Sequence, residues 1–163
     1  MSTNVLPGIE LRPLEPRDAV ECDRIVASLP YHFGQEAGRR ECAEAVRRSE
    51  GIVAVEDGAV VGFLTLERHF DLSAEITWMA VHADHRRHGI GHALVARLCD
   101  KLRGEGRSLL LVLTVSPADD TESDPADGYR ATRTFYESVG FVLARDLAGL
   151  WEGDIPVLMV RTL

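Results

Sequence analysis

The chain has 163 residues, 45% of them hydrophobic and 27% charged, with a net charge of −8 at pH 7. This length suits one domain, residues 1–163, that buries a core without staples, and the acidity sets nucleic acid and anionic membranes aside as partners, because both repel it. Cys22, Cys42 and Cys99 are odd in number with no Cys-x-x-Cys pair, no apolar run reaches a membrane span, and residues 1–13 lack a leader pattern, so a reduced, cytoplasmic protein is expected.

Residues 9–14 alternate apolar and polar side chains with a proline at the end, the mark of a first strand. Val20, Ile25 and Val26 recur at helical spacing within 16–29, and Pro30 stops that helix. The aromatic loop Tyr31-His32-Phe33-Gly34 leads to a second, more polar helix over 36–48. Strands over 52–55 and 60–66 flank Asp57-Gly58, a hairpin signal. A strand follows at 74–81, then a helix over 89–102 with Leu94, Val95, Leu98 and Leu102 on one face. Residues 109–115 are almost wholly apolar, as a central buried strand requires. The segment 116–128 holds five acids and two prolines and no large apolar side chain, so it reads as a long loop. A last helix over 130–139 ends at Gly140, and strands over 141–144 and 157–160 close the chain. The order β-α-α-β-β-β-α-β-α-β-β specifies an α/β fold, a mixed sheet flanked by helices. The last strand is expected at an edge of that sheet, where it needs cover; pairing into a homodimer would supply it.

Arg86-Arg87-His88-Gly89-Ile90-Gly91 stands where the strand over 74–81 gives way to a helix. Glycines there permit a sharp turn, and the free N–H groups of a first helical turn form an anion site suited to a diphosphate. A P-loop needs Lys and then Ser or Thr after the second glycine, whereas His92 and Ala93 follow; a dinucleotide fingerprint needs a third glycine where Leu94 stands. Spacing alone leaves open a plain strand-to-helix turn with solvated basic residues. His88 and His92 have the i, i+4 spacing of a metal pair, but no nearby acid or cysteine completes a ligand set, and no metal is expected.

The loop resembles the coenzyme A loop of the GCN5-related N-acetyltransferase (GNAT) superfamily, Arg/Gln-x-x-Gly-x-Gly/Ala, at Arg86, Gly89 and Gly91. The preceding Ala74-Glu75-Ile76-Thr77-Trp78-Met79-Ala80-Val81 resembles the family's fourth strand, and Phe135-Tyr136-Glu137-Ser138-Val139-Gly140-Phe141 resembles its Phe-Tyr-Glu-x-x-Gly-Phe segment. The resemblance implies the GNAT fold, with a mostly antiparallel central sheet, and direct transfer of an acetyl group from acetyl-coenzyme A to a primary amine of a small molecule, peptide or protein. It implies Glu75 as general base and Tyr136 as the acid that protonates the leaving sulfur. It places the coenzyme against Met79, Ala80, Val81, Arg86, Arg87, His88, Gly89, Ile90, Gly91 and His92, with a bulge near Met79 and Ala80 that frees backbone groups.

Tyr31, Phe33, His69 and Trp78 lie on the segments that line the family's acceptor pocket; core packing is the competing reading of each. Tyr129 stands where the family often has asparagine and Thr132 where it often has alanine, so Tyr129 is grouped with the acceptor candidates rather than with the coenzyme contacts. The acids of 116–128 could draw in a cationic acceptor or form a solvated loop. A rival reading of a different class keeps the fold without catalysis, as an acyl-coenzyme A sensor.

Overall fold

The computed structural model describes residues 6–163; residues 1–5, part of the stretch read as lacking a leader pattern, lie outside the described residues. The elements in chain order are β1 (Ile9–Pro13), α1 (Ala19–Ala27), α2 (Glu36–Arg48), β2 (Glu50–Glu56), β3 (Ala59–Arg68), β4 (Ser73–Val81), α3 (Ile90–Gly104), β5 (Leu109–Val115), α4 (Tyr129–Ser138), β6 (Val142–Asp146) and β7 (Pro156–Thr162). The expected first helix is shorter than its apolar spacing suggested. Pro16–Asp18 form a separate 3-10 turn, and Asp18, paired with Arg12 of β1 at 2.8 Å, fixes the entry to α1. No helix among the described residues is long and apolar enough to cross a membrane.

The described strands form one sheet in the order β1-β2-β3-β4-β5-β7-β6, antiparallel except where β4 meets β5. Its two faces carry separate cores. Leu64, Ile76, Leu94, Leu98 and Phe141 fill one, between the sheet and α3 and α4. Cys22, Ile25, Cys42, Val53 and Phe63 fill the other, under α1 and α2. Covering both faces explains why β2 and β3 read as continuous apolar runs rather than alternating ones. The terminal strand β7 is not an edge: it pairs with β5 along Leu109↔Thr162 to Val115↔Pro156 and with β6 on its other side. The hairpin from β6 back to β7 inserts the last strand beside the apolar β5, which requires neighbours on both sides. The edges are β1 and β6.

Two features of β4 shape the site. Its parallel pairing with β5 covers only Ser73↔Leu109 to Ile76↔Val112. Its pairing with β3 slips by one residue, Leu66 facing Ile76 and Thr65 facing Trp78, so Thr77 is the extra residue of a bulge. A bulge bends its strand and increases the local twist. Beyond Ile76, β4 therefore leaves β5, which continues with β7 alone. The bulge sits two residues before Met79, nearer the strand's start than the family resemblance implied.

Candidate active site

The departure of β4 from β5 opens a cleft between Thr77–Val81 on one side and Leu113–Val115 on the other. Every second residue of an unpaired edge turns its N–H and C=O outward, so the cleft walls carry free backbone donors and acceptors. Across the bulge the side chains divide between the faces. Met79 and Val81 pack on the α3 core, whereas Trp78 and Ala80 pack on the α1–α2 core. The hydroxyls of Thr77 and Thr65 meet at 2.7 Å on the latter face and join the bulge to β3.

At the cleft's end the chain runs through a short 3-10 turn at Ala83–His85 into α3. Arg87 (φ 64°) and Gly89 (φ 82°) are both left-handed, a curl that turns successive N–H groups inward. Gly89 is required by that φ, and a Cβ there would stand 3.0 Å from Leu6. Gly91 is required by space: a Cβ would fall 3.0 Å from the Phe135 ring and 3.3 Å from the Met79 methyl. The helix has no side-chain cap and no acid in its first turn, so the N–H groups of Ile90, Gly91 and His92 point outward unsatisfied. This chemistry fits a diphosphate group.

The histidines around the loop have separate partners, although the His82 and His85 rings meet edge-on with centroids 5.6 Å apart. The His82 ring accepts the Asp84 N–H, His85 pairs with Glu56 at 2.9 Å, and His92 meets the Ser138 hydroxyl at 3.0 Å. The expected phosphate ligand Arg86 contacts Asp127 of the acidic loop at 3.2 Å.

Tyr136, on α4, is only 7% exposed and packs edge-on against Phe135 and Phe141. Burial alone holds its phenol well above the usual tyrosine range, and no hydrogen bond contributes. No fully buried side-chain polar atom lacks a partner among the described residues, so this unbonded hydroxyl reaches an accessible surface. It is therefore a protonated donor without a protein acceptor. The three cysteines do not compete as reacting groups: all are buried, and burial pushes the Cys22 and Cys42 thiols up to about 12.

Glu75 shares the α1–α2 face with Thr77, opposite Glu67 of β3. Its Oε2 lies 2.6 Å from Nε2 of His69, which sits in the turn between β3 and β4. Of the acceptor candidates, Phe33 is a core residue, 8% exposed and stacked on Trp78 with ring centroids 6.0 Å apart. Tyr31 is exposed and donates to Asp124 at 3.0 Å; Tyr129 is half-buried and donates to the His32 carbonyl at 3.4 Å. The His32 ring lies 3.4 Å from the Thr132 hydroxyl, and burial, aided by Arg86, holds its pKa below the usual histidine value. The two positions that depart from the family pattern, Tyr129 and Thr132, thus join the α1–α2 loop to α4.

The acidic segment is not simply a solvated loop. Asp119 accepts the Ile155 N–H, Asp120 pairs with the buried Arg133, Asp124 takes Tyr31 and Thr121, and Asp127 takes Arg86. Arg133 also donates to the Val115 carbonyl at 2.8 Å, anchoring α4 at the end of β5. None of these pairings has a local sequence signal; an arginine on the apolar face of a helix was the one hint.

The family described as "Acetyltransferase (GNAT) domain" matches residues 47–143, more than half of the chain. The chain belongs to this family. Comparison with curated protein sequences gives no match. Among solved structures, a GNAT-family protein from Desulfovibrio desulfuricans superposes with a TM-score of 0.80 at 23% identity, covering 94% of this chain and 98% of that one. The ribosomal-protein-S18-alanine N-acetyltransferase of Escherichia coli gives 0.73 at 20% identity, covering 94% and 93%. The PaiA N-acetyltransferase of Thermoplasma acidophilum, solved with coenzyme A, gives 0.73 at 14% identity, covering 95% and 99%. At these identities the likeness establishes the fold.

Proposed function

We propose that the chain is an N-acetyltransferase that moves the acetyl group of acetyl-coenzyme A directly onto a primary amine of a small molecule or peptide. The observation that carries this reading is the cleft between β4 and β5, open along free strand edges and closed at one end by the uncapped start of α3. The α3 start with Arg86, Arg87 and His88 would hold the diphosphate, and the edge at Met79, Ala80 and Val81 would hold the extended arm. Solved GNAT relatives hold acetyl-coenzyme A or coenzyme A, which supports that ligand class.

Acetyl-coenzyme A supplies the activated acetyl group. An alkyl ammonium, with pKa near ~10, must lose a proton before it can attack, and Glu75 takes it, directly or through water. Backbone N–H groups near Met79 and Ala80 stabilise the charge that builds on the thioester oxygen. The carbon–sulfur bond breaks as nitrogen bonds to carbon, the sulfur takes the proton of the Tyr136 hydroxyl, and the acylated nitrogen gives up its second proton, which restores the phenol. Tyr31, His69, Trp78 and Tyr129 form the acceptor side. Phe33 supports Trp78 from within the core.

The net charge of −8 favours a cationic acceptor over nucleic acid or an anionic membrane. A homodimer would form through the exposed edge β6, where Val142 and Leu143 are 61% and 45% exposed, rather than through β7. The test is release of coenzyme A and mass gain across a panel of polyamines, aminoglycosides, amino acids and lysine peptides. Acetylation of a panel amine is expected. Tight binding of acetyl-coenzyme A without turnover on any amine would instead favour the non-catalytic sensor.

A further inference from the structure

We infer that His69 is a positioning residue for the base, holding the Glu75 carboxylate in its reactive orientation. This rests on the reading of Glu75 as the base.

Nε2 of His69 and Oε2 of Glu75 are 2.6 Å apart, the length of a charge-assisted hydrogen bond. The hydrogen bond engages Oε2 and leaves Oε1 free to receive a proton from the amine. The turn that carries His69 is rigid. The His69 N–H donates to the Ser73 carbonyl at 3.1 Å, and the Arg107 guanidinium binds the carbonyls of Phe70, Asp71 and Ser73 at 2.9, 3.3 and 2.9 Å. The N–H groups of Ser108 and Leu109 both donate to the Leu72 carbonyl at 3.0 Å. One guanidinium and two backbone donors from the start of β5 therefore fix the turn, and with it the imidazole.

Without His69, Glu75 would face Glu67, the like charge directly across β3. The imidazole gives the carboxylate a fixed partner in place of that repulsion.

The experiment compares wild type with His69→Gln, His69→Phe and Glu75→Gln, using acetyl-coenzyme A and an amine acetylated in the panel. Glutamine keeps a polar group near the Nε2 position; phenylalanine keeps the bulk and loses it. His69→Phe should lower kcat by ~10-fold or more with the KM for acetyl-coenzyme A unchanged, and His69→Gln should recover most of that loss. Equal kcat losses in His69→Gln and His69→Phe, or wild-type kcat in His69→Phe, while Glu75→Gln is inactive, overturn the role of His69 and leave the base assignment standing. Wild-type rates in Glu75→Gln, or no turnover with any amine, overturn both.

Discussion

Replacing Tyr136 with phenylalanine separates a chemical role for its hydroxyl from a structural one. A hydroxyl that holds the fold has a protein partner, and its loss costs about 1–1.5 kcal/mol. The Tyr136 hydroxyl has none, while its ring is fully engaged with Phe135 and Phe141. Tyr136→Phe keeps the ring, so unfolding free energy should change by less than about 0.5 kcal/mol. Turnover at saturating acetyl-coenzyme A should fall by ~10²- to 10⁴-fold, the usual worth of a general acid. Coenzyme affinity should stay within a few-fold. Alkaline pH provides a second check. Burial raises the folded-state pKa of Tyr136 above the ordinary 10.0, so the native state keeps a proton that the unfolded chain gives up. Its contribution is complete below pH 10 and is lost as pH rises from there, at up to about 1.4 kcal/mol per unit. Tyr31 and Tyr129 are raised as well, so the informative quantity is wild type minus variant, which isolates Tyr136. Urea denaturation between pH 8 and 11, with coenzyme release measured on the same samples, tests both arms. Wild-type turnover in Tyr136→Phe, or a stability loss of 1 kcal/mol or more at pH 8, would refute this reasoning.

Gly89→Val forces a β-branched residue to a φ of 82° and toward Leu6, so coenzyme A affinity by calorimetry should fall at least ~10-fold in a protein whose far-ultraviolet spectrum is unchanged; unchanged affinity here and in Arg86→Ala would remove the diphosphate assignment. Asp127→Asn frees Arg86 from its ion pair, so coenzyme A should bind ~2- to 5-fold tighter at low ionic strength, with the gain vanishing in high salt; equal affinities at both salts would show that the pair does not compete with the ligand. Arg133→Leu strips a buried partner from Asp120 and from the Val115 carbonyl, so urea midpoints should report a loss of about 2–3 kcal/mol, partly recovered by adding Asp120→Asn. A change under 1 kcal/mol would contradict that anchor.

The sequence by itself determined most of the elements and where the glycine loop falls among them. The polar stretch 36–48 and the apolar run 109–115 marked α2 and β5 with the bounds they have in the structure. The glycines marked the start of α3, because a φ of 82° at Gly89 and a 3.0 Å approach to Phe135 at Gly91 tolerate no larger side chain. What depends on partners distant in the chain left no local trace. The order β5-β7-β6 follows from pairing across the whole sheet, which placed the last strand inside it. The bulge at Thr77 arises from register against β3, and the cleft from the end of the β4–β5 ladder. Arg86 with Asp127, Tyr129 with His32, and His69 with Glu75 are contacts between separate segments. A motif can name such residues, but only the tertiary structure decides which polar atoms are already paired and which, like the Tyr136 hydroxyl, have no protein partner, because pairing is a matter of distance in space rather than along the chain.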